Sequence, residues 1–150
     1  MNSIRRNLAL FALLAISLLS GCATVPMSST DEDLRAKTFT VRSDKSNIYV
    51  YRNESFGGVI PMTVSLDGKL AGQTGPQTYF MWEVEPGPHE VTSTAENTVS
   101  LKLNTEAGKA YYIWQEVKMG FWMARSLLQQ VDEQTGRKEV AECKRVQSNF

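Results

Sequence analysis

Met62-Thr63-Val64-Ser65-Leu66-Asp67-Gly68-Lys69-Leu70-Ala71-Gly72 has the pattern of a β-hairpin. Met62, Val64 and Leu66 alternate with Thr63 and Ser65, a period of two that sends one face of a strand into a core. Asp67-Gly68 accepts the positive φ angles of a type I′ turn, and Lys69-Leu70-Ala71-Gly72 reads as the returning strand.

The same pattern extends in both directions. Upstream, Ile48-Tyr49-Val50-Tyr51 is apolar at every position, as a strand covered on both faces requires. Downstream, Phe80, Trp82 and Val84 share one face of a run that ends at Pro86-Gly87-Pro88. Residues 90–94 continue to a break at Glu96-Asn97, and Val99, Leu101 and Leu103 then alternate with Ser100 and Lys102. A long aromatic-rich strand is expected over residues 110–117, and a last strand over residues 126–132 before Gln134-Thr135-Gly136. About seven short strands with frequent turn signals predict a mainly β domain, an antiparallel β-sandwich or barrel, of which a sandwich of immunoglobulin-like or PEGA-like type is the expected form. It occupies residues 47–150. The tail from Arg137 reads either as a short helix, with Val140 and Cys143 on one face and Lys144 and Arg145 at its C-terminus, or as a terminal strand.

Residues 1–21 do not belong to that domain. Arg5 and Arg6 precede an apolar run, residues 8–19, shorter than the roughly 20 residues a membrane-spanning helix needs. A basic start, a short apolar run and small residues make a secretory signal peptide. It closes on Leu19-Ser20-Gly21-Cys22, which resembles the lipobox of bacterial lipoproteins. The resemblance implies cleavage before Cys22, a diacylglycerol thioether on its sulfur and acylation of the new amino group. Ala23, standing where aspartate retains such proteins at the inner membrane, implies the periplasmic face of an outer membrane. Residues 22–46 are polar and read as the lipidated N-terminus and a tether, with a short helix over residues 31–39 capped by Thr30 as an option.

The central block carries a second resemblance. Val64 to Thr74, followed by Val84-Glu85-Pro86-Gly87-Pro88-His89, resembles the PEGA-like class of small surface β-domains. The Ile48-Tyr49-Val50-Tyr51-Arg52 opening, the Asp67-Gly68-Lys69 turn and Gly108-Lys109-Ala110-Tyr111-Tyr112 are similar to an uncharacterised family of small bacterial lipoproteins, a domain of unknown function. That resemblance implies a fold and no reaction.

Composition narrows the function. Sixteen basic and sixteen acidic residues leave no basic excess for nucleic acid. Removing residues 1–21 takes Arg5 and Arg6 and leaves 14 basic against 16 acidic residues, a mildly acidic domain. Two cysteines exclude a disulfide-rich scaffold, and one histidine leaves little for zinc. His89 as a general base needs a nucleophile and an orienting acid, for which Glu85 and Glu90 are the near candidates; a turn histidine bonded to backbone is the competing reading. Met81, Met119, Met123 and His89 could in principle hold a soft metal, but the spacing is also that of packing residues, so no metal and no cofactor are expected. Cys143 is a lone thiol once Cys22 carries lipid, and its spacing from Val140 favours burial. Phe121 and Trp122, in an apolar stretch between two strands, are the candidate contact surface for a protein, a glycan or lipid, or else fold back over the end of the sandwich.

The resulting expectation is a non-enzymatic binding or accessory lipoprotein, anchored to membrane lipid through Cys22, with an envelope protein or glycan as partner. The alternative is a module for peptidoglycan or another glycan, using an aromatic platform from Tyr79, Trp114 or Trp122. A hydrolytic or redox enzyme is the remote third.

Overall fold

The apolar run Ile48-Tyr49-Val50-Tyr51 lies at the centre of a sheet, and its two faces meet two different cores. The computed structural model describes residues 25–55, 60–122 and 124–150; residues 1–21, read as a signal peptide, and Cys22 and Met123 lie outside the described residues. The strands are β1 (Ser46–Arg52), β2 (Met62–Leu66), β3 (Lys69–Thr74), β4 (Thr78–Val84), β5 (Gly87–Thr94), β6 (Thr98–Thr105), β7 (Ala110–Met119), β8 (Ala124–Val131) and β9 (Lys144–Arg145). Two helices, α1 (Thr30–Ala36) and α2 (Glu133–Glu142), flank them. One sheet runs β8-β7-β1-β4-β9 and the other β3-β2-β5-β6, which is the expected β-sandwich.

Ile48 and Val50 point between the sheets, where they join Val64, Leu66, Phe80, Trp82, Val91, Leu103 and Ile113. Tyr49 and Tyr51 point the other way, into a layer formed with Tyr79, Tyr112, Ala36, Val140 and Cys143. The Tyr49 and Tyr112 rings stack at 5.0 Å and 12°. Each such burial contributes on the order of 1.5–3 kcal/mol, so a strand covered on both faces is the best-anchored element available.

Pairings within the sandwich are antiparallel except two. β1 lies antiparallel to β4 but parallel to β7, and β4 is parallel to β9. The Asp67-Gly68 turn has φ angles of 51° and 76°, the doubly positive pair expected there. At Gly72 (φ +142°) a Cβ would stand 3.2 Å from the Phe80 ring, so the edge strand approaches the core through a missing side chain.

The tail departs from expectation at both ends. Asp132 caps α2 by accepting from the Thr135 amide, so Gln134-Thr135-Gly136 is helical where a break was expected. The helix ends at Cys143, whose extended backbone frees Lys144 and Arg145 to pair with Thr78 and Tyr79 as β9 instead of closing a helix. Helix and strand therefore both occur in the tail.

The described part of the stretch read as a tether is packed on the sandwich. α1 is capped by Ser29, not Thr30, through a capping box with Glu32. Its Asp33 carboxylate accepts from the Tyr79 hydroxyl (2.8 Å) and the Arg145 amide (2.9 Å), and pairs with Lys37 (2.9 Å). Tyr49 donates to the Ala36 carbonyl at 2.8 Å, and Met27 bridges Val146.

The registers Tyr51↔Trp114, Arg52↔Thr78, Met62↔Thr74 and Thr63↔Thr94 bring four connections to one end of the sandwich. They are the β1–β2, β3–β4, β5–β6 and β7–β8 connections. β7 runs on from Trp114 to Met119, about 17 Å at the rise of a strand, so its hairpin projects past the end of β1, alongside the β5–β6 turn, whose Glu96 amide donates to the Ala124 carbonyl at 3.2 Å.

Candidate functional site

Among the described residues, the β7–β8 hairpin carries the most exposed of the large apolar side chains. Phe121 is 82% and Trp122 84% exposed, and their rings meet edge to face at 4.9 Å. Met119 beside them is also exposed. The backbone beneath is fixed by a residue of the other sheet's β5–β6 turn. One Glu96 oxygen accepts from the Phe121 amide (2.9 Å) and the other from the Trp122 amide (2.8 Å). Asn97 next to it brackets Ser126, donating to its carbonyl at 2.9 Å and accepting from its amide at 2.8 Å. Glu54 braces the rising strand, accepting from the Trp114 indole at 3.0 Å and the Val117 amide at 3.3 Å. The sequence therefore builds a stiff stalk under two aromatic rings and leaves both rings in water.

Behind the hairpin the sandwich interior turns polar. Gln115, fully buried, accepts from the Thr74 hydroxyl (2.5 Å) and donates to Ser93 (2.6 Å), which bonds Ser126 at 2.7 Å. Arg52 is buried at the same end and donates to the Ile60 carbonyl at 2.9 Å. Burial lowers its pKa and the Glu54 carboxylate opposes that, yet an arginine stays charged. A satisfied chain of hydrogen bonds specifies one packing of the two sheets, where apolar side chains would tolerate several.

His89 lies at the opposite end. Its Nδ1 is 2.7 Å from an Asp67 carboxylate oxygen and its Nε2 2.7 Å from the Glu85 carbonyl oxygen. Both nitrogens thus face acceptors, and the ring ties the β2–β3 turn to the β4–β5 turn. Burial opposes its protonation, but the Glu85 carbonyl and the Asp67 carboxylate outweigh it and raise the pKa. A general base needs a free lone pair, which this geometry does not present. Glu90 enters through its amide, which donates to Asp67 at 2.8 Å.

The remaining candidates are dispersed. Met81 packs in the tyrosine layer, Met119 is at the hairpin and His89 is at the far end. Among the described residues no three His, Cys, Asp or Glu side chains form a metal-binding group. Cys143 is buried as expected, its thiol donating to the Arg52 carbonyl at 3.6 Å, and burial pushes its pKa up to about 12. Tyr79 is fully buried beneath α1 and Trp114 is half-buried against Glu54, so only Trp122 of the three suggested aromatics is presented to solvent. They do not form one platform, because alternation along a strand hides a ring wherever a helix covers the outer face.

Residues the sequence reading passed over hold the site together. Glu96 was legible only as part of a turn, and Glu54 not at all. The one signal was chemical: an acid followed by asparagine between two strands is a pair able to accept amide protons from a neighbouring loop.

Two comparisons place the chain among known proteins. A family described as "Protein of unknown function (DUF2846)" matches residues 42–126, more than half of the chain, from just before β1 into β8 and including the hairpin. An uncharacterized protein of Haemophilus influenzae is 35% identical over 126 residues, covering 83% of this chain and 75% of the relative. The chain belongs to the DUF2846 family of proteins of unknown function.

Proposed function

We propose that this protein is a lipid-anchored lipoprotein of the cell envelope, serving as a non-enzymatic binding or accessory module on the periplasmic face of the outer membrane. The observation that carries the reading is Leu19-Ser20-Gly21-Cys22 closing a signal-like apolar run, with Ala23 behind it. Several acyl chains at about 0.8 kcal/mol per buried methylene hold a protein to a bilayer nearly permanently. The engaged nitrogens of His89 and the buried, high-pKa thiol of Cys143 support a binding role over catalysis. The two-sheet sandwich with its Asp67-Gly68 hairpin supports the finer likeness to PEGA-like surface domains.

The test is membrane fractionation with palmitate labelling of the wild type and Cys22→Ser. The wild type is expected to label and to sediment with outer membrane; Cys22→Ser should do neither. A Cys22→Ser protein that still fractionates with membrane overturns the reading.

A further inference from the structure

We infer that the β7–β8 hairpin is a membrane-contact element: Phe121 and Trp122 lie in the interfacial zone of the bilayer that Cys22 anchors. The inference rests on the lipoprotein reading above and deepens it. Three observations carry it.

The first is exposure combined with order. Two adjacent aromatic rings more than 80% exposed are unfavourable in water unless something covers them, and Glu96 holds their backbone fixed without covering them. Aromatic side chains with an apolar body and, in tryptophan, a polar N–H are the residues that partition to the headgroup level.

The second is position. Val25 packs over Gly75, where a Cβ would touch it at 3.6 Å, and Gly75 lies in the β3–β4 loop at the hairpin's end of the sandwich. Cys22 is three residues upstream, at most about 11 Å of extended chain. The hairpin reaches about 17 Å past the Tyr51–Trp114 row at that same end. A bilayer holding the acyl chains of Cys22 is therefore within reach of the hairpin. No other partner has its location fixed by the chain itself.

The third is charge. Lys118 and Arg125 are paired across the hairpin one row below Met119, both exposed, with Lys118 also paired to Glu116. Basic side chains just behind inserted aromatics meet the phosphates of anionic lipid.

The experiment uses acylated full-length protein in vesicles of equimolar phosphatidylglycerol and phosphatidylcholine brominated on its acyl chains. Flotation reads the anchor, and bromine quenching of tryptophan emission reads the hairpin. Trp82, buried between the sheets, and Trp114, held by Glu54, are the internal standards. The expected result is that both wild type and Trp122→Phe float, that wild-type emission is quenched relative to unbrominated vesicles, and that this loss disappears in Trp122→Phe. Floating protein with unquenched Trp122 overturns the inference and leaves the anchor standing. Protein that does not float overturns the anchor and the inference together. Shielding of Trp122 from aqueous iodide in vesicle-free Cys22→Ser protein also overturns it, assigning the hairpin to a second copy of the chain.

Discussion

Gly136→Ala separates what a helix wants from what its packing permits. Gly136 lies in α2, where replacing glycine by alanine in a free helix adds about 1 kcal/mol of stability. Here a Cβ would stand 2.2, 2.3 and 2.6 Å from Cγ, Cβ and Cδ1 of Tyr112. Optimal carbon contacts lie at about 3.5–4.0 Å, so α2 must retreat by more than 1 Å or Tyr112 must move. Tyr112 is fully buried and stacked on Tyr49, and the clashing atoms include its own Cβ, which no rotamer change displaces. Retreat would part Val140 and Cys143 from the tyrosine layer. Overpacking of this kind costs about 1–3 kcal/mol, and a rigid neighbour places it at the upper end. Against the gain in propensity, the net loss is about 2 kcal/mol, a fall in Tm of roughly 8 °C for a domain of this size. The assay is thermal and urea unfolding of the chain from Ala23 by circular dichroism, with Lys138→Gly, at an exposed position of the same helix, as the propensity control. Lys138→Gly should lose about 1 kcal/mol. A Gly136→Ala protein with unchanged denaturant slope and a raised midpoint would refute the packing of α2 on Tyr112.

Three further outcomes are expected. Burial alone would raise the Asp33 carboxyl, but Lys37, the Tyr79 hydroxyl and the Arg145 amide hold it below the ordinary 3.8. Its stabilisation is therefore present above that value and lost as pH falls through the lower folded one, so Asp33→Asn should cost about 1–2 kcal/mol at neutral pH and less in acid, by urea titration. His89 has the opposite sign: its raised pKa makes its contribution complete below 6.5 and fading as pH rises through the folded value. The stability gap between wild type and His89→Gln should narrow with rising pH, and a gap that widens contradicts the Asp67 pairing. Cys143, with its pKa pushed up to about 12, should react with a thiol reagent only as fast as the domain opens, so its labelling rate should climb with urea; immediate labelling in native buffer would contradict its burial.

What could be read from sequence was whatever depended on neighbours in the chain. The alternation at Met62-Thr63-Val64 and the Asp67-Gly68 pair specify a hairpin locally, and β2 and β3 form it. Ile48-Tyr49-Val50-Tyr51 announced coverage on both faces without saying that the second cover is helical. The tail reads as helical only from Arg137; the first turn of that cover was missed because α2 starts at Glu133, its signal being the Asp132 cap, while Gly136 imitates a helix stop. Ser29 was passed over for Thr30 although Ser29-x-x-Glu32 carries the capping-box spacing. A terminal strand is the competing reading of the tail, but the place and partner of β9 were beyond reach: two residues have no period, and their pairing with β4 depends on where the helix ends. The same division holds at the site. Phe121 and Trp122 are conspicuous as apolar residues beside Gly120, whereas Glu96 acts on them from the other sheet, 25 and 26 residues away in the chain.

The bridge between Met27 and Val146 has a bearing on timing. β1 completes its sheet only with β7, more than sixty residues later, and the segment leading into α1 is held by residues next to β9. A polypeptide emerging from the ribosome in order can form the β2–β3 hairpin early, since its partners are adjacent. It cannot close the five-stranded sheet until Lys144 and Arg145 are out. Nonlocal closure of this sort folds slowly and leaves strand edges open in the interval. The sheet therefore stays unlocked until Lys144 and Arg145 have been made, and a stop codon or proteolytic cut before Lys144 would leave the domain without its clasp, however much of the sandwich had been made.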